Sequence, residues 1–158
     1  MSTLSVNNVT EVGGAPVVTN GVLDSGSLPA GSVLQVVSTQ KTTSFATSST
    51  SLVDITDLSV TITPQSSSSK FLVFLNGFRV ANDGTNGVVS MGVARDATDI
   101  GQESRYQDNT GTIAGNISVM VLDSPATASA ITYKGRVRAV VSTATVYESA
   151  ITVMEVAG

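Results

Sequence analysis

The chain contains no cysteine, no histidine and no tryptophan. Without cysteine there is no disulfide framework and no thiolate to act as nucleophile or ligand. Without histidine as well, a Ser-His-Asp triad, a Cys-His pair and a histidine-bearing zinc site are excluded within these residues. Neither G-x-G-x-x-G nor a P-loop is present to cradle a phosphate. Charged residues make up 13% of the chain and aromatics 4%, whereas an ordinary domain is about a quarter charged. Eight Lys and Arg against twelve Asp and Glu give a net charge of −4. No basic patch is left for counterion release, so neither nucleic acid nor an anionic membrane surface is expected as a partner. No apolar run reaches the roughly 18–20 residues of a membrane span. The start, Met1-Ser2-Thr3-Leu4, lacks a basic region followed by an apolar stretch, so no signal peptide is expected. Synthesis in a cytoplasm is the expectation, with any later extracellular life reached by assembly and release.

What is present is β-branched and rich in hydroxyls. Hydrophobic residues are 41% of the 158, mostly Val, Ala, Leu and Ile, and Ser and Thr fill much of the remainder. That composition suits a pleated sheet, where branched side chains pack well. The length fits one domain with a short appendage, large enough to bury a core without staples.

Residues 1–31 differ from the rest. Gly13-Gly14-Ala15-Pro16, Thr19-Asn20-Gly21, Asp24-Ser25-Gly26-Ser27 and Leu28-Pro29-Ala30-Gly31 break the segment every few residues. It reads as an extended N-terminal arm with at most one short strand. Its apolar residues, Leu4, Val6, Val9, Val17, Val18, Val22 and Leu23, favour docking on a partner over a frayed tail.

From residue 32 to 158 short strands alternate with turn signals. Ser32 to Ser38 is the first. Leu52 to Ile55 is followed by Leu58 to Ile62, which alternates apolar and polar. Lys70 to Val80 is long and apolar, and Asn82 to Gly87 then reads as a hairpin loop into Val88 to Ala94. Residues 95–115 read as a long polar loop with one short strand. Asn116 to Leu122, Ile131 to Val141 and Tyr147 to Val156 complete the set. About eight strands at this spacing without helices predict an antiparallel β-sandwich or jelly roll.

Chemistry-bearing residues are few. Asp96, Asp99 and Glu103 form the densest acidic group, near Arg95 and Arg105. The Asp-x-Asp-x-Asp-Gly pattern of an EF-hand is absent, so local ion pairs are expected rather than calcium or a glycosidase-like carboxylate pair. Ser67-Ser68-Ser69-Lys70 fits Ser-x-x-Lys, but that motif begins a helix in the enzymes that use it, and here it falls between strands. Catalysis, a cofactor and a metal are therefore not expected. Phe71, Phe74 and Phe78 are assigned to the core, and Tyr106 to the polar loop. Phe71 to Leu75 and Val119 to Leu122 are apolar at successive positions, which implies burial on both faces. A lone sandwich keeps one face of each sheet wet, so cover by other subunits is expected.

Four stretches carry a likeness to a known group. They are Ser2 to Val9, Leu28-Pro29-Ala30-Gly31-Ser32-Val33-Leu34-Gln35-Val36-Val37, Leu58-Ser59-Val60-Thr61-Ile62-Thr63-Pro64 continued by Ser67-Ser68-Ser69-Lys70-Phe71-Leu72-Val73, and Ile151-Thr152-Val153-Met154-Glu155-Val156. In these the chain resembles small virion surface proteins of tailed bacteriophages, of the fibre and capsid-decoration type found in marine and cyanobacterial phages. The resemblance implies a homotrimeric, jelly-roll-like head (32–158) on an attachment arm (1–31). It places the protein on the virion surface, joined to a capsid or tail protein through the arm. A capsid decoration or short head fibre is the first reading, with a tail-fibre tip and a free-standing carbohydrate-binding module as alternatives. Host surface glycan is a further expected partner. The contact loops expected for it are Asn82, Asp83, Thr85 and Asn86, and then Gln102, Glu103, Arg105, Tyr106, Gln107, Asp108 and Asn109.

Overall fold

A computed structural model describes residues 9–10, 16–19, 22–23, 28–108 and 114–158. Every regular element among them is a strand. β1 (Val9–Thr10), β2 (Pro16–Thr19) and β3 (Val22–Leu23) form a small antiparallel meander. The expected arm thus holds three short strands where at most one was anticipated. Leu4 and Val6 lie outside the described residues.

The remaining strands form two sheets. The first has the order β10 (Gly115–Asp123), β7 (Lys70–Asn82), β12 (Ala144–Val156), β4 (Val33–Lys41), with β5 (Phe45–Thr47) also paired to β12. The second runs β6 (Val53–Ile62), β11 (Ile131–Ala139), β8 (Gly87–Arg95), β9 (Thr98–Asp108). All pairings are antiparallel. Among the eight long strands the chain passes from sheet to sheet at every step except β8 to β9. This is the strand order of a jelly roll. β4 lies beside β6 and β10 beside β9, so both open sides of the sandwich are closed.

Two connections differ from the reading of the sequence. Asn82 to Gly87 is not a hairpin loop, because β7 and β8 belong to different sheets. The Asn82 side chain instead stitches this turn to the one at 141–143: its Oδ1 accepts from Gly84 N at 2.9 Å and its Nδ2 donates to Val141 O at 2.7 Å. A Cβ on Gly87 would lie 2.1 Å from Asn82 Oδ1, so only glycine admits that inward-turned amide. The second difference is β9, an eleven-residue strand where a long loop with one short strand was expected. As an edge strand it pairs on one side within the sheet, and among its described side chains Ile100 and Tyr106 are those that pack against the core. Its sequence therefore carries too few apolar residues to show period two.

The core lies between the sheets. Every second residue of β11, namely Ile131, Tyr133, Gly135, Val137 and Ala139, is buried, as its alternation predicts. Phe71, Val73, Leu75 and Ile151 meet them from the first sheet. A Cβ on Gly135 would fall 2.6 Å from Leu58 Cδ2 and 2.8 Å from Leu75 Cδ1, so glycine there lets the sheets close on two leucines.

The residues behind the family likeness converge on one fully buried carboxylate. Glu155 Oε2 accepts from Gln35 Nε2, and Glu155 Oε1 accepts from Gln65 N at 2.7 Å. Gln35 Nε2 also donates to Thr63 O at 2.8 Å. Three separate motifs are thus tied at the edge of the sandwich.

Candidate functional site

Two surfaces carry features that folding alone does not require. The first is the outer face of the β10-β7-β12-β4 sheet. Side chains directly opposite one another on paired strands share a face. Leu122 is opposite Leu72, Leu72 opposite Met154, and Met154 opposite Val36. One step along, Met120 is opposite Phe74, which is opposite Thr152, which is opposite Ser38. The next row is Ser118, Asn76, Ala150 and Gln40. One fully apolar row and the apolar half of the next, Met120 and Phe74, therefore lie together, flanked by hydroxyl and amide side chains, and these three rows contain no charge. Met120 is 67% exposed, Leu122 63% and Val36 52%, while Leu72, Phe74 and Met154 are half-buried. A contiguous apolar patch of this kind marks an interaction surface more often than plain exterior.

This arrangement corrects the reading of the aromatic residues. Phe71 is in the core, but Phe74 faces outward and Phe78 is 47% exposed. Within this chain Phe71 to Leu75 and Val119 to Leu122 bury one face only. The successive apolar residues in the sequence mark the outward patch, not a second internal core.

The second surface is the outer face of the β6-β11-β8-β9 sheet, which is charged. Lys134 Nζ donates to Asp54 Oδ2 at 2.8 Å, Arg136 Nε to Asp54 Oδ1 at 2.6 Å and Arg136 Nη1 to Asp99 Oδ1 at 2.8 Å. Arg138 Nε donates to Glu103 Oε2 at 2.8 Å. Partial burial pushes the Asp54 carboxyl up, but the hydrogen bonds and charges of Lys134 and Arg136 outweigh it and hold it below its usual range. Burial likewise disfavours the Arg136 cation, and the two carboxylates it bonds more than restore it, leaving its pKa above the ordinary value.

The acidic group read from the sequence is thereby taken apart. Asp96 sits in the β8–β9 turn and accepts from Thr132 N at 3.0 Å, while Asp99 and Glu103 pair with Arg136 and Arg138. Arg95, expected beside that group, pairs with Asp123 at 2.7 Å. No cluster of three acidic side chains suited to a cation occurs among the described residues.

Beside the charge ladder lies an open cleft of about 410 Å3, with Leu52, Gly92, Asp99, Gln102, Glu103 and Arg105 among its lining residues. Sequence reasoning found Gln102, Glu103 and Arg105 but placed them on a loop. They stand on strand β9, and Tyr106 points the other way, half-buried against the core and close against Gly115. Leu52 and Gly92 were missed, because only folding brings them next to β9. Of the other expected contact residues, Thr85 and Asn86 are exposed at the turn tip, whereas Asn82 is buried and is no contact residue. Asp83 is exposed but accepts from Ser142 Oγ and, at 2.8 Å, from Thr143 N. Gln107 and Asp108 end β9, and Asn109 lies outside the described residues. Of the expected anchor residues, Val9 is in β1, Val17 and Val18 in β2, and Val22 and Leu23 in β3.

No protein-family model and no curated protein matches this chain. No helix among the described residues is long and apolar enough to cross a membrane.

Proposed function

We propose that this chain is a non-catalytic structural protein of a phage virion, displayed on the particle surface as a capsid decoration or short head fibre. Residues 32–158 form the exposed head and residues 1–31 carry the link to a capsid or tail protein, where strand addition to an exposed sheet edge is the natural mode. The head works as a homotrimer, and the copies meet through the outer face of the β10-β7-β12-β4 sheet. Attachment to host surface glycans is its second role, for which three linked copies raise the effective concentration of a weak contact.

The observation that carries this reading is the neutral apolar face built from Val36, Leu72, Phe74, Met120, Leu122 and Met154. A chain of net charge −4 repels its own copies over most of its surface. The uncharged rows are where that repulsion is weakest and apolar burial greatest. The motif likeness to phage surface proteins and the jelly-roll strand order support the same reading.

The test is immunogold labelling of purified particles with an antibody to the recombinant head. Regular labelling of the particle surface, lost when residues 1–31 are deleted from the phage genome, is the expected result. Particles without the protein would overturn the reading.

A further inference from the structure

The cleft on the second sheet has a polar lining that is only half used. Asp99 bonds Arg136 through Oδ1 and Glu103 bonds Arg138 through Oε2. Among the described residues the second oxygen of each carboxylate has no hydrogen-bond partner, and neither do the Arg105 guanidinium and the Gln102 amide. Leu52 supplies an apolar wall. Gly92 forms the floor, where an added Cβ would lie 3.3 Å from Leu52 Cδ1 and 3.6 Å from Glu103 Cγ. A larger side chain at that position would fill the space. Two residues before Gly92 on β8, Ser90 stands between Arg138 and Arg105 in register, fully buried, with an Oγ that has no partner among the described residues.

Elimination narrows the ligand. Carboxylates on the wall oppose an anion. The arginines bound to those carboxylates oppose a bare cation. A lining of charged and amide groups does not suit an apolar guest. What remains is a neutral ligand whose groups both donate and accept, as hydroxyls do. A pyranose offers vicinal hydroxyls to the spare carboxylate oxygens, accepts from Arg105 and Gln102, and lays its C–H face on Leu52. The volume is within the usual range for small-ligand sites, about 300–1,000 Å3.

We infer that the cleft formed by Leu52, Gly92, Asp99, Gln102, Glu103 and Arg105 is a binding site for a neutral saccharide. The inference deepens the attachment role proposed above and rests on it for biological purpose, while its chemistry stands on the cleft alone.

Backbone-amide NMR of the full chain, titrated separately with galactose, mannose, glucose and N-acetylglucosamine, tests it. Saturable shifts with at least one sugar, centred on Gly92 and on residues 99–105, are expected. Arg105→Ala and Gln102→Ala, both at exposed positions, should weaken the binding at least fivefold with the rest of the spectrum unchanged. Gly92→Val should abolish it. Glucuronic acid and N-acetylneuraminic acid serve as controls. Saturation by these acids and not by the neutral sugars would overturn the ligand class. The absence of saturable shifts with any sugar would overturn the site, as would shifts that survive Gly92→Val. None of these results depends on whether the protein is found on particles, so failure of the site and failure of the virion reading are separable.

Discussion

Gln35 and Glu155, 120 residues apart, are joined through the amide of one and the fully buried carboxylate of the other. The bond links β4 to β12, and the second carboxylate oxygen holds the loop after β6 by accepting from Gln65 N. A buried carboxylate is tolerated only when its oxygens are satisfied. Here two donors, Gln35 Nε2 and Gln65 N, do this, with no cationic partner among the described residues.

Glu155→Gln replaces one acceptor oxygen with a donor that faces Gln35 Nε2 or Gln65 N. A buried unsatisfied pair costs about 1–3 kcal/mol. Urea unfolding should show a loss of this size, and Gln35→Ala, which leaves one oxygen of the buried carboxylate without its donor, a loss at least as large. Equal stability of Glu155→Gln and the native chain would contradict the role assigned to the carboxylate.

Tyr133 makes the corresponding link between the sheets. Its buried phenol donates to Asp123 Oδ2 at 2.7 Å, and Arg95 holds the same carboxylate. Burial raises the Tyr133 pKa, and the hydrogen bond and charge of Asp123 raise it further. A group with a raised pKa stabilises the fold fully below its unfolded value and loses that contribution as pH rises. Stability should therefore decline above about pH 10. Tyr133→Phe should remove that alkaline decline and cost about 1.5 kcal/mol at neutral pH, as for a hydrogen bond to a charged group. Thermal melts across pH 7–11 would check both.

Asp54 acts at the other end of the pH scale. Its carboxyl is held below the ordinary value by Lys134 and Arg136. The stability it lends is present above about pH 4 and lost as pH falls further. The site is well exposed and screened by solvent, so Asp54→Asn should cost only about 0.5 kcal/mol at neutral pH. The native chain and the variant should converge in stability near pH 2.

Much of the fold can be read from residue order, and the exceptions have physical causes. The alternation in β11 identifies a strand because burial on one face imposes period two, and the short apolar run of β7 does so by its length and its β-branched and aromatic content. β9 escapes detection because an edge strand with two core residues leaves no such imprint. The Asn82–Gly87 turn resembles a hairpin locally, and only the pairing of β7 and β8 with other strands shows that it crosses between sheets. The apolar face is visible as successive hydrophobic residues in Phe71–Leu75 and Val119–Leu122, yet residue order cannot say which side of a strand faces out. Val36 and Met154 join that patch through pairings far apart in sequence. The cleft is the least legible feature, since Leu52 and Gly92 meet β9 only in the folded chain.

The most direct test of the central claim is the solution mass of the full chain, by light scattering on a sizing column, beside a Phe74→Lys, Met120→Lys double variant. Both positions lie on the outer face, so the fold should survive the change, and circular dichroism would verify this. Self-association through this face predicts a trimer for the native chain and a folded monomer for the variant. A native monomer, or a variant that remains trimeric, would contradict it.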